Sequence, residues 1–87
     1  MLVGLEEVCR TIGLVLGRRN VAADQRLIED LGAESADILN IMVTVEQKFG
    51  VRIDEKEMTE VATARDLQRL LSKITNGTRD PDPARSA

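Results

Sequence analysis

The sequence predicts an all-α fold: a four-helix bundle of three longer helices and one short one, with a long loop after the first helix. Three observations predict it. Apolar residues recur at spacings of three and four through most of the chain, the period of a helix with one buried face. The 87 residues make one small domain, whose core is modest because a domain this size buries only about 60% of its unfolded surface. Aromatic residues are nearly absent, one Phe with no Trp or Tyr, so the core is aliphatic, which suits packed helices.

The elements follow in chain order. Leu5, Val8, Ile12 and Val15 form the apolar stripe of a first helix. Gly17 offers a stop, and Arg18 and Arg19 suit the negative end of the helix dipole. Gly4 and Gly13 weaken this helix by propensity. Residues 17–34 form a long connection; loops beyond about 12–15 residues are uncommon in small domains and often functional. Leu27, Ile28 and Leu31 punctuate it and predict that it packs down.

The second helix has the clearest pattern. It runs from about Ser35 to Phe49, with Ile38, Ile41, Met42, Val45 and Phe49 at helical spacing and Gly50 as its stop. Ser35 is a favoured N-cap type, and Asp37 lies in the first turn, where a negative charge is favourable. Val51-Arg52-Ile53 alternates like a strand but has no partner strand, and is expected to be an extended packed linker. Asp54 caps a short third helix around Glu55–Val61. Thr63-Ala64-Arg65-Asp66 resembles a capping box and opens the fourth helix, with Leu67, Leu70, Leu71 and Ile74 as its stripe. The domain is expected to span residues 1–75. Residues 76–87, with Asp80-Pro81-Asp82-Pro83, are expected to be a disordered tail.

Formal net charge is -3 and unevenly spread: residues 21–60 carry ten acids against four bases. An acidic chain has no electrostatic footprint for nucleic acid. Its few aromatics offer no stacking platform for single strands, and no helix has the basic recognition face of a helix-turn-helix binder. A basic protein partner is the natural expectation for the acidic middle. Cys9, the single cysteine, lies among Leu5, Val8 and Ile12 and is expected to be a small buried hydrophobe. There is no signal-peptide pattern and no run of about 20 apolar residues, so the expected location is cytoplasmic.

Catalytic chemistry is largely excluded. The chain has no His, which removes a Ser–His–Asp hydrolase in its usual form and, with one Cys, the usual zinc sites. No P-loop is present. Asp54, Glu55, Glu57 and Glu60 lack the spacing and the glycine of a calcium loop. No metal site and no enzyme activity are expected. Ser35 remains, and by itself a serine at a helix start is only a cap.

Its context says more. Asp30-Leu31-Gly32-Ala33-Glu34-Ser35-Ala36-Asp37 leads into a helix ending Val45-Glu46-Gln47-Lys48-Phe49-Gly50-Val51. This resembles the acyl carrier protein family, whose signature is Asp-Leu-Gly-x-Asp-Ser-Leu before a helix ending Glu-x-x-Phe-Gly-hydrophobic. The resemblance extends from about Leu5 to Ile74 and includes the long first loop and the short third helix. It implies an acyl-carrier-type bundle, a likewise non-enzymatic monomer. It also implies that Ser35 bears 4′-phosphopantetheine, installed from coenzyme A by a phosphopantetheinyl transferase. The arm's thiol would hold an acyl or aminoacyl group as a thioester for loading and transferring enzymes. The positions matching the family's recognition surface are Glu34, Ala36, Asp37, Ile38, Asn40, Ile41, Met42 and Glu46.

Three departures stand beside the motif. Glu34 replaces the family's Asp, Ala36 its Leu, and Asn40 a usual Glu. Lys48 further reduces the negative charge of the helix. The departures point to a specialised carrier of a lipid, polyketide or related pathway rather than a general fatty acid synthesis carrier. Glu34 and Ala36 also support a second reading, a carrier-fold interaction module that has lost the arm.

Overall fold

A computed structural model describes residues 3–77. It holds α1 (Leu5–Leu16), α2 (Ser35–Phe49), α3 (Glu55–Thr59) and α4 (Ala64–Gly77). Among these residues there is no strand, only one isolated antiparallel bridge between Arg26 and Thr63. α1 packs against both α2 and α4. α4 runs through Gly77, so residues 76 and 77, expected to open the tail, belong to the helix; the rest of the expected tail, residues 78–87, lies outside the described residues.

The apolar stripes meet as their spacing requires. Val8 and Ile12 of α1, Ile41 and Val45 of α2, and Leu67 and Leu71 of α4 are all fully buried. Leu70 and Ile74 flank that centre, half-buried. Met58 plugs α3 into the same core. Thr11, the buried polar residue of α1, is satisfied by donating to Glu7 O at 2.9 Å. Cys9 sits at the edge, half-buried rather than buried, and its partial burial pushes the thiol up from its ordinary value.

α3 stops at Thr59, short of the expected Val61. Its backbone tightens there: Glu60 N donates to Glu57 O and Val61 N to Met58 O, three residues back. Asp54 caps it as expected, accepting from Lys56 N at 3.1 Å. The expected capping box of α4 is present: Thr63 Oγ1 accepts from Asp66 N at 3.1 Å, and Asp66 Oδ2 accepts from Thr63 N at 3.2 Å.

The long first loop is docked, not loose. Leu27 N donates to Ala62 O at 2.8 Å and Arg65 N to Ala23 O at 3.0 Å. The Arg65 guanidinium pairs with Asp24 at 2.8 Å and holds its carboxyl below the usual range. Leu27, Leu31 and Ala33 are buried beneath these bonds. The loop is thereby stitched to the α3–α4 junction, and the chain arrives at Ser35 from a fixed direction.

Gly13 is required by the turn that begins this loop. Its carbonyl accepts from Gly17 N and, at 2.8 Å, from Arg18 N. A Cβ at this position would lie 2.6 Å from Arg18 O, a backbone atom. Helix propensity alone favours Ala over Gly by about 1 kcal/mol, but overpacking costs about 1–3 kcal/mol. Gly13→Ala is expected to lower the melting temperature, by roughly 4–8 °C for each 1 kcal/mol of net loss. Thermal unfolding followed by circular dichroism checks this; a rise would mean that the turn yields without cost.

Candidate functional site

The approach to α2 is built from Asp30-Leu31-Gly32-Ala33. Asp30 Oδ2 accepts from Arg26 N at 2.8 Å, and Asp30 N donates to Arg26 O at 2.9 Å, closing a turn on itself. Leu31 drops into the core. Gly32, at φ 73°, takes the left-handed conformation that reverses the chain. Ala33 is buried and donates to Leu27 O at 2.9 Å. Each residue of the motif thus has an intramolecular task that ends at the start of α2.

The cap itself differs from expectation by one residue. Glu34, not Ser35, is the N-cap, with extended backbone at φ -105° and ψ 173°. Asp37 reaches back, its Oδ2 accepting from Glu34 N at 2.9 Å. Ser35 becomes the first helical residue. It is exposed, and no hydrogen bond among the described residues engages its hydroxyl. A serine used as the cap would have committed that oxygen to the helix backbone; here it is free to react.

The expected recognition residues separate into distinct groups. Glu34, Ala36 and Asn40 are exposed, and Asp37, Ile38 and Met42 are half-buried. Ile41 differs from them: it is fully buried in the core, so its side chain is not at the surface. Glu46 is half-buried and tied inward. Its Oε2 accepts from Ile53 N at 2.7 Å, while its carbonyl accepts from Gly50 N and Val51 N. One residue thus closes α2 and fastens the extended linker. Lys48 turns toward α1, where it pairs with Glu7 at 3.7 Å.

A groove of about 480 Å³ opens at Ser35, between α2, α3 and the first loop. Ile38, Leu39 and Met42 line one wall, and Ile28, Met58 and Val61 line the rest. Leu39 and Ile28 of this lining keep 45% and 59% of their surface exposed, and Val43, one turn beyond Leu39 on α2, keeps 45%. Leu39, Val43, Met58 and Val61 belong to none of the apolar stripes legible in the sequence. The signal available was excess: α2 carries more apolar positions than one buried stripe can use.

The arrangement fits a phosphate linked to the serine, with a mostly apolar groove beside it. A free hydroxyl stands in the first turn of α2, whose unpaired backbone N–H groups favour an anion, and an apolar trough begins beside it. Among the described residues no cluster of His, Cys, Asp and Glu could hold a metal ion, and no helix is long and apolar enough to cross a membrane.

Comparison with known proteins agrees. Residues 6–71 match the family model described as the phosphopantetheine attachment site. An acyl carrier protein of Thermotoga maritima is 32% identical over 53 residues, covering 61% of this chain and 65% of that protein. One of Campylobacter hominis is 36% identical over 54 residues, covering 62% and 68%. The alignments thus span about two thirds of the length of these curated relatives. A solved structure described as a candidate acyl carrier protein from Mycobacterium tuberculosis superposes with a TM-score of 0.73 at 25% identity, covering 78% of this chain and 93% of that one.

Glu46 provides a test of the inward assignment. Glu46→Ala leaves the part-buried Ile53 N–H without its acceptor, a loss of about 1–3 kcal/mol. Glu46→Gln keeps an acceptor and is expected to lose less. Urea denaturation separates the outcomes; equal stability of all three proteins would return Glu46 to a purely surface role.

Proposed function

The chain belongs to the acyl carrier protein family, and from that premise we propose that Ser35 is its attachment point for 4′-phosphopantetheine. Members of the family are non-catalytic carriers with that group covalently bound. When bound, the group supplies the thiol on which an acyl or aminoacyl cargo is held as a thioester and presented to loading and transferring enzymes. The observation that carries the assignment is the free, exposed hydroxyl of Ser35 at the first position of α2.

The chain's own part is positional. Ser35 Oγ would form the bond to phosphorus while the pyrophosphate bond of coenzyme A breaks. The leaving group is the nucleotide phosphate, and the hydroxyl proton goes to a base. The chain has no His and no described group hydrogen-bonds the Ser35 hydroxyl, so the base belongs to the phosphopantetheinyl transferase. The resulting phosphate lies at the positive end of α2, an arrangement worth about 0.3–1 kcal/mol at an exposed site.

A specialised pathway in lipid, polyketide or related metabolism fits the surface better than general fatty acid synthesis. Ala36 presents a methyl group where a leucine would give a partner an apolar anchor, and exposed Asn40 is uncharged. The reading of an arm-less interaction module is not favoured: Glu34 and Ala36 flank the hydroxyl without blocking it.

Incubation with coenzyme A, magnesium and a broad-specificity transferase is expected to add one phosphopantetheine to the intact mass, and Ser35→Ala to abolish the gain. If neither that transferase nor one from the native host modifies the wild type, the assignment fails. Ala36→Leu is expected to raise kcat/KM for the broad-specificity transferase by roughly tenfold, about the value of burying two methylenes. An unchanged rate would mean that position 36 does not set transferase choice.

A further inference from the structure

The groove at Ser35 is mostly apolar, yet one cation stands on its wall. Lys56 of α3 lines the same cavity as Ser35. It is exposed, and it enters none of the ion pairs among the described residues, which use Lys48, Arg65 and Lys73. Its backbone is fixed at both ends. Its N–H donates to Asp54 Oδ1 at 3.1 Å, and its carbonyl accepts from Thr59 Oγ1 at 2.6 Å. Met58, two residues on, is sunk in the core. A flexible four-carbon stem thus rises from an anchored Cα into the groove.

The setting makes this lysine unusual within the fold. Residues 21–60 hold only four bases, and of these only Lys56 lines the groove. Of the carboxylates on these elements, Asp37 accepts from Glu34 N, Asp54 accepts from Lys56 N, and Glu55 shares the groove wall; none forms an ion pair with Lys56 among the described residues.

Resting on the assignment of Ser35 above, we infer that Lys56 pairs with the phosphodiester of the arm and lays the arm across the groove toward α3. A phosphodiester is anionic at any physiological pH. Tethered at Ser35, it is held near Lys56 at an effective concentration on the order of millimolar. A lysine binds phosphate as a point charge, so no fixed fork geometry is needed. With the phosphate held at the mouth, the remainder of the arm falls on Leu39, Met42 and Val61 rather than in water. Lys56 is therefore a positioning residue, and its contribution is of the exposed kind that salt screens.

The test uses holo protein without cargo, so the phosphodiester is the one added anion. Intact mass first establishes that Ser35 is loaded; absence of loading overturns both this inference and the Ser35 assignment. With loading shown, amide chemical shifts of residues 55–61 are compared between apo and holo forms. In the wild type the arm is expected to perturb them, and the perturbation to shrink about two- to fivefold in Lys56→Gln. Lys56→Arg should retain it, and Lys56→Glu should remove it. Salt on the order of 0.5 M should diminish it in the wild type but not in Lys56→Gln. Perturbations equal in wild type and Lys56→Gln, and indifferent to salt, would overturn the role of Lys56 and leave the attachment at Ser35 standing.

Discussion

The docking of the long first loop onto the α3–α4 junction is the constraint on which the site depends. Ordering backbone costs about 1–2 kcal/mol per residue, and residues 17–34 have no helix of their own to offset it. Burial of Leu27, Leu31 and Ala33 supplies part of the compensation. Backbone bonds from Leu27 to Ala62 and from Arg65 to Ala23 supply direction. The exposed pair of Arg65 with Asp24 adds little at the surface, where such pairs are worth about 0–1 kcal/mol. What it adds is register: it marks which residue of the loop meets the start of α4.

From that docking the geometry at Ser35 follows. The Asp30 turn and the left-handed Gly32 aim the chain into α2, and the reach of Asp37 back to Glu34 sets where the helix begins. Capping by residue 34 releases the serine that follows it. The same helix is closed by Glu46, which spans its C-terminus and the linker to α3. α3 then stands opposite α2 across the groove. The two ends of α2 therefore serve different purposes, one presenting a reactive oxygen and the other holding the opposite wall in place.

Much of this was legible in the residues. The stripes of α1, α2 and α4 and the Thr63–Asp66 box are local patterns, and each formed where its spacing placed it. The N-cap lies one residue earlier than expected because a first-turn Asp37 suits a start at 34 or 35, and only the backbone geometry shows that Asp37 reaches back to Glu34. Glu46 looked like a surface acid because its acceptor role toward Ile53 depends on the left-handed turn at Gly50, a contact seven residues away. Ile41 shares the helical spacing of Ile38 and Met42, yet it is fully buried while the other two line the groove. The docking of the loop was hidden for another reason: main-chain bonds carry no side-chain signature, and only the buried leucines hinted at it.

The central claim is that Ser35, freed by the cap at Glu34, carries the arm. Intact-mass analysis with peptide mapping of the protein purified from its native host tests it most directly. One phosphopantetheine, with or without cargo, is expected on the peptide containing Ser35. A wholly unmodified population, or the group on a different serine, would contradict it.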